Sequence, residues 1–334
     1  MPSASDSIPA SNALPDRPVI ALTREVYGTL DVPGAEIRCA GPDRITRDKL
    51  LSLVKGATVL VTMYTDKVDT AVLDAGAPTL RGVINFAVGT DNIDVGDCRR
   101  RGVIVCNTPH AVTEGTADLA WALILGVARG IPQADRYARS AEYPRRGHLG
   151  MGERVGMDLA GRTLLIVGAG RIGYATALRS LGWGMRVLYT ARARHFEFEQ
   201  APLNAKRVGL MEGVGEADIV SVHTPLTPET RHLIDARVLA AMKPGSMLIN
   251  TSRGPVVDEA ELAAALKQGR LFGAGLDVYE NEPSVHPGLI DLDNVVLTPH
   301  VGSASMKSRG MMVEMVSESA RALVAGERPR YVVA

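Results

Sequence analysis

The sequence predicts an α/β protein of two doubly wound units, each a parallel sheet covered by helices. Three observations predict it. Short β-branched runs alternate with longer helical stretches, the pattern of parallel βαβ units. Those runs are continuously apolar rather than alternating, as strands buried on both faces are. The chain has 334 residues, whereas one domain takes about 150. Ten candidate strands also exceed a comfortable single sheet, so two units are expected.

In chain order, residues 1–17 (MPSASDSIPASNALPDR) are rich in Ser, Pro and Ala without apolar periodicity, and read as a disordered tail. Strands are then expected at Val19–Leu22, Thr58–Val61, Val83–Asn85 and Val103–Val105. Thr113–Arg129 reads as a helix opened by Thr113 as N-cap. It is apolar nearly all round, hence buried at a domain junction or a subunit interface. The polar, Arg- and Gly-rich stretch Tyr137–Asp158 reads as a crossover. Further strands are expected at Thr163–Val167, Met185–Tyr189, Ile219–Val222, Met247–Asn250, Ala274–Asp277 and Val295–Thr298, before a last helix at Met306–Ala325. The expected division is one unit of residues 18–109 and 304–334, with a second unit, 110–303, inserted between its two segments.

Composition narrows the function classes. Thirty-seven basic residues balance 37 acidic ones, so no nucleic-acid or polybasic membrane surface is expected. The longest apolar run, Leu119–Ala128, is about half the length a bilayer span needs. No basic-then-apolar leader opens the chain, and the expected compartment is cytoplasmic. Cys39, Cys98 and Cys106 are odd in number and form no CxxC pair, so neither a disulfide framework nor a zinc site is expected. With no HExxH, EF-hand loop or His/Cys cluster, no metal is expected either. Ser221 and Ser252 lack a GxSxG frame, which disfavours serine hydrolysis.

The strongest local motif is Gly168-Ala-Gly170-Arg171-Ile172-Gly173, directly after the run Thr163–Val167 and leading into a helical pattern. In that context it reads as a dinucleotide-binding turn. Gly168 permits the tight turn, Gly170 admits a pyrophosphate close to the backbone, and Gly173 lets helix pack on strand. The free N–H groups of the helix start favour the anion. Enzymes that use NAD place Asp or Glu at the end of the next strand to hold the ribose hydroxyls. Here that strand ends Thr190-Ala191-Arg192-Ala193-Arg194, with Ala191 at the acid's place. Arg192 and Arg194 suit a 2′-phosphate, with Thr190 as a hydroxyl donor, so NADP(H) is preferred and NAD(H) left open. Two solvated arginines beside a site that takes NADH weakly is the plainer alternative.

Three later strand ends carry chemistry-bearing residues: Asn250-Thr-Ser-Arg253-Gly, Gly275-Leu-Asp277 through Glu282-Pro, and Thr298-Pro-His300-Val-Gly302-Ser303. Ligands of doubly wound sheets bind beyond the carboxyl ends of strands. Any one of Arg253, Glu282 and His300 has a dull explanation as a surface charge or loop histidine. Their joint placement behind a dinucleotide turn points to catalysis.

With these motifs the sequence resembles the D-isomer-specific 2-hydroxyacid dehydrogenase family. The resemblance rests on GAGRIG at 168–173, SVHTPLTPETRHLI at 221–234, NTSRG at 250–254, AGLDVYENEP at 274–283 and TPHVGS at 298–303. The segment VINFAVGTDNID at 83–94, with NTP at 107–109, adds to it. Within the family the LYTARAR strand end is most similar to glyoxylate/hydroxypyruvate reductases. The resemblance implies a Rossmann-type nucleotide domain inserted into a flavodoxin-like substrate domain, and a homodimer with helix 113–129 as the interface element. It implies that Arg253 binds the substrate carboxylate and polarises the 2-oxo group. It makes Glu282 the partner of His300, and His300 the general acid in reduction and base in oxidation. Val88 and Gly89 would offer backbone N–H groups to the substrate carboxylate. Arg171 and Ile172 would border the pyrophosphate; Thr224, Thr251, Gly302 and Ser303 would line the cofactor, and Asp277 would face the nicotinamide carboxamide.

Elementary chemistry supports those roles. Arg253 offers a planar, permanently charged fork for a carboxylate and for charge developing on oxygen. A histidine gives and takes protons near neutral pH, and a carboxylate beside it orients the ring. The expected function is therefore reduction of a small 2-oxo acid, such as glyoxylate or hydroxypyruvate, to a D-2-hydroxy acid. Two alternatives are an NAD(H)-sensing co-repressor-like protein without significant turnover, and a dehydrogenase for a bulkier 2-hydroxy acid. Side-chain selection is expected from around Met63–Tyr64 and Met306. His223 reads as structural or adenine-side.

Overall fold

The computed structural model describes residues 17–333; the tail expected at the start lies, except for Arg17, outside the described residues. The chain divides into two compact units, one of residues 1–112 with 305–334 and one of 113–304.

The first unit contains β1 (Val19–Leu22), β2 (Glu36–Cys39), β3 (Val59–Thr62), β4 (Gly82–Asn85) and β5 (Ile104–Cys106), all parallel in the order β2-β1-β3-β4-β5. The order reverses between β1 and β3, and such a switch point opens a crevice at the carboxyl ends. Strands β3 and β4 are buried along their whole length. Ala21, Leu60, Val83 and Val105 face one core together with Val54, Val72, Leu73 and Cys98. The helix Met306–Ala325 packs on β3 and β4, with Ser305 as its cap accepting from the Ser308 N–H. Three other helices of the unit begin the same way: Thr46, Asp69 and Asp94 each cap a helix through the side chain, filling an N–H that has no acceptor inside the helix.

The second unit contains β6 (Thr163–Val167), β7 (Arg186–Thr190), β8 (Lys206–Arg207), β9 (Ile219–Val222), β10 (Met247–Asn250), β11 (Gly273–Leu276) and β12 (Val295–Leu297). The parallel order is β12-β11-β10-β9-β6-β7-β8, reversing between β6 and β9. Alternate residues of each strand feed two cores. Leu165, Val167, Val220 and Leu248 lie in one; Leu164, Ile166, Ile219 and Ile249 lie in the other. This two-sided burial, about 1.5–3 kcal/mol per fully buried aliphatic side chain, is why the strands read as unbroken apolar runs.

The ten expected strands are present within one or two residues, and β2 and β8 are additional. Both are edge strands: β8 is two exposed charged residues, and β2 alternates half-buried Glu36 and Arg38 with exposed Ile37 and Cys39, so neither carries the apolar signature of a covered strand. The helix Thr113–Arg129 is buried within its own unit: Ala120, Trp121, Ile124 and Val127 enter a core of that unit, the helix packing on β10, β11 and β12. The polar stretch after it is not a plain crossover, since it holds the helices Ile131–Arg139 and Glu142–Arg146. Among the described residues no helix is long and apolar enough to cross a membrane.

Candidate active site

The site is built at the carboxyl edge of the seven-stranded sheet, where six successive strand ends deliver the residues singled out from the sequence. At the end of β6, Gly168 has φ +103°, and a Cβ there would lie 2.8 Å from the His223 carbonyl carbon and the Thr224 nitrogen. Only glycine serves both the left-handed turn and that approach. Gly170 precedes the helix Arg171–Arg179, and a Cβ on it would meet nothing within 4 Å, which leaves the helix start open. A Cβ at Gly173 would come within 2.4 Å of the Gly168 carbonyl oxygen. Arg171 and Ile172 open the helix, at its partially positive end.

The next strand ends supply polar groups without protein partners. The buried Thr224 and Thr251 hydroxyl oxygens, beyond β9 and β10, have no hydrogen-bond partner among the described residues. Unfilled buried polar groups of this kind call for a ligand or water. With the open glycine turn, they fit a dinucleotide laid across the edge. His223 joins Ser221 Oγ at 2.8 Å. Burial of the ring pushes its pKa down to about 3, so it stays neutral and is not a proton donor near pH 7.

Beyond β7, Thr190 accepts from the Gly168 N–H at 3.0 Å. Arg192 is exposed. Arg194, read alongside it as a phosphate ligand, is committed elsewhere: it pairs with Glu199 at 2.5 Å and lies over the Phe196 ring at 4.8 Å. The Tyr189 hydroxyl at 2.6 Å and Arg194 together hold the Glu199 carboxyl below its ordinary range.

Catalytic candidates occupy the other strand ends. Arg253 follows β10 in a turn closed by Asn250, whose Oδ1 accepts from Ser252 N and Oγ and whose Nδ2 donates to the Arg253 carbonyl at 3.0 Å. The next residue, Gly254, lies so close to the loop after β11 that a Cβ would come within 1.8 Å of the Tyr279 carbonyl carbon. This contact brings the arginine turn and the acidic loop side by side. In that loop Glu282 accepts from the Tyr279 N–H and from His300 Nδ1, the latter at 2.8 Å to Oε2 and 3.1 Å to Oε1. With Nδ1 facing a carboxylate, Nε2 is the nitrogen directed to other chemistry.

His300 itself sits at φ +55°, a left-handed conformation that is uncommon away from glycine and must be held in place. Asp277 does the holding. Its buried carboxylate accepts from Thr298 Oγ1 at 2.7 Å and from the Val301 and Gly302 N–H groups at 2.8 Å each. Burial raises the Asp277 pKa against the pull of those bonds. The residue read as a contact of the nicotinamide carboxamide is thus, in this structure, the anchor of the histidine loop that includes Gly302 and Ser303. Tyr279 adds a second tie, its hydroxyl donating to the Thr298 carbonyl at 2.8 Å. His232 supports the acidic loop through Glu280 at 2.9 Å. Thr298, Tyr279 and His232 were not singled out in the sequence, because nothing local marks a residue whose task is to hold another.

Val88 and Gly89 belong to the other unit, in the loop beyond β4. The carbonyls of Ala87, Val88 and Gly89 accept from Thr108 N at 2.9 Å, Asn107 Nδ2 at 2.7 Å and Asn85 Nδ2 at 2.6 Å. These bonds fix the loop through its carbonyls, and in a trans peptide each N–H points away from the C=O of the same peptide. In the same unit the half-buried Arg309 guanidinium lies 6.0 Å over the Phe86 ring and forms no ion pair among the described residues. Burial lowers its pKa; a partly dehydrated cation without a carboxylate is suited to a negatively charged ligand.

Comparison with known proteins agrees with this architecture. Residues 121–302 match the sequence model of the D-isomer specific 2-hydroxyacid dehydrogenase NAD-binding domain. The chain is 46% identical over 292 residues to a glyoxylate reductase of Thermococcus onnurineus, covering 86% of each chain. It is 47% identical over 286 residues to a glyoxylate reductase of Korarchaeum cryptofilum, covering 85% of each. Among solved structures it resembles an NADPH-dependent glyoxylate/hydroxypyruvate reductase from Sinorhizobium meliloti, in complex with NADP and malonate. That match has a TM-score of 0.81 at 32% identity and covers 95% of this chain and 97% of the other.

Proposed function

The chain belongs to the D-isomer specific 2-hydroxyacid dehydrogenase family, and from that premise we propose that it reduces a small 2-oxo acid, glyoxylate or hydroxypyruvate, to the D-2-hydroxy acid with NADPH as donor. The observation that carries the proposal is the Glu282–His300 pair at 2.8 Å, on the same sheet edge as the open Gly168–Gly173 turn and the unfilled Thr224 and Thr251 hydroxyls. A bound nicotinamide supplies the hydride. Arg253 neutralises the substrate carboxylate and steadies negative charge developing on the 2-oxo oxygen. His300, oriented through Nδ1 by Glu282, gives its Nε2 proton to that oxygen in reduction and takes it back in oxidation. Ser303 and Gly302 line the cofactor beside the histidine. Arg192, with Ala191 in place of an acid, favours the 2′-phosphate of NADPH.

The test is a steady-state panel of glyoxylate, hydroxypyruvate, pyruvate and phenylpyruvate, each with NADPH and with NADH. Highest kcat/KM for glyoxylate or hydroxypyruvate with NADPH is the expected result. Equal efficiency with both cofactors would undo the reading of Arg192. Tight cofactor binding without turnover of any 2-oxo acid would replace the enzyme by a sensor.

A further inference from the structure

The edge strand β8 contributes one side chain whose bonds serve no strand of the sheet. Nη2 of Arg207 donates at 2.9 Å to the carbonyl of Ala191 and at 2.9 Å to that of Arg192, the first residues beyond β7. One nitrogen thus draws two successive carbonyls towards β8. Neither peptide is among the cis bonds of the chain, so the N–H groups of Arg192 and Ala193 point the opposite way. They therefore point away from Arg207 on β8, and the other neighbour of β7 is β6, whose end carries the Gly168–Gly173 turn. Among the described residues neither N–H finds an acceptor in the protein. Two successive N–H groups held in this manner form an anion-binding concavity. The exposed Arg192 side chain stands beside them, while Arg194 is paired with Glu199.

We propose that Arg207 is a positioning residue for cofactor selection: by holding the carbonyls of Ala191 and Arg192 it presents the N–H groups of Arg192 and Ala193 to the 2′-phosphate of NADPH. The inference rests on the NADPH reading above and deepens it. The bonds of Arg207 shown here go to backbone carbonyls beyond β7, so its effect should be confined to the end of the adenosine that carries or lacks the phosphate. A residue that merely stabilised the sheet edge would affect NADPH and NADH alike.

Isothermal titration of the intact protein with NADPH, NADH and 2′,5′-ADP separates these cases without any turnover. Arg207→Ala should weaken NADPH and 2′,5′-ADP by about tenfold or more, as loss of charge-assisted hydrogen bonds does, and change NADH less than about twofold. NADH binding doubles as proof that the variant folds. The loss should persist in about 0.5 M NaCl, where a long-range charge effect is screened away; a loss that vanishes there overturns the proposal. So does an equal loss for NADPH and NADH, or none. Arg192→Ala tells the two readings apart. If the wild type prefers NADPH and Arg192→Ala erases that preference while Arg207→Ala keeps it, the Arg207 inference fails alone. If the wild type binds both cofactors equally, the NADPH reading fails first.

Discussion

Within the candidate site a ring is held by two carboxylates. Glu282 fixes which nitrogen of His300 faces inwards, and Asp277 fixes the backbone on which the ring is carried. His300→Ala should lower kcat by about 10²–10⁴-fold while leaving the dissociation constant for NADPH within about twofold; an equal fall in both would remove His300 from proton transfer. Arg253→Ala should raise KM for the 2-oxo acid far more than that for cofactor, and unchanged saturation by substrate would count against its role. The cysteines give a residue-scale prediction of the opposite kind. Burial pushes the Cys98 thiol up to about 11 and the Cys106 thiol up to about 12, whereas Cys39 is exposed. Thiolates are the reactive species, so at pH 8 one thiol per native chain should react with a disulfide reagent and three after denaturation. At this scale the sequence named Arg253, Glu282 and His300 because each ends a strand in a recognisable motif. It assigned Arg194 to a phosphate, and only the structure shows that Glu199, five residues on, takes it first.

Elements converge on the site because of where strands end, and glycine decides how closely the ends approach. A methyl group at Gly254 would overlap the Tyr279 backbone, and backbone cannot turn aside as a side chain can. Gly254→Ala should therefore cost at or above the roughly 3 kcal/mol end of overpacking penalties, seen as a lower denaturation midpoint together with loss of activity. A variant as stable and active as the wild type would show that the arginine turn and the acidic loop do not depend on this contact. Glycine at 168 and 254 was visible in the sequence as motif, but the atoms it avoids come from residues 55 and 25 positions further on. Two of the four edge strands illustrate the converse. β2 and β8 bury none of their residues fully, so no apolar run announces them, yet β8 brings Arg207 to the loop beyond β7.

For the molecule as a whole, stability in acid is set by carboxylates paired inside the fold. Asp218, at the start of β9, is the clearest. Burial alone would raise its pKa, but Lys243 Nζ at 2.7 Å, the Thr163 N–H at 2.9 Å and Arg162 at 3.1 Å outweigh it and hold the carboxyl below its ordinary range. With the folded pKa depressed, the unfolded chain binds the proton more readily. The stabilisation is complete above the ordinary Asp range near pH 4 and is lost as pH falls through the lower, folded value. Asp218→Asn should be less stable than the wild type at pH 6 and should lose less stability between pH 6 and 3; parallel curves would exclude the contribution. His223, neutral throughout, should leave no inflection in the pH–rate profile, and His223→Asn should preserve its shape.

What the sequence determined by itself is what local periodicity and short motifs encode: ten covered strands and the dinucleotide turn. These depend on neighbours a few residues apart, where burial on both faces and the needs of a tight turn act directly on residue choice. What only the tertiary structure decided is partnership: Arg194 with Glu199, Asp277 with the His300 loop, Arg207 with the carbonyls beyond β7. Such pairs are fixed by the three-dimensional placement of strand ends, and a charged side chain carries in its own sequence no mark of which opposite charge or carbonyl the fold will bring within hydrogen-bonding distance.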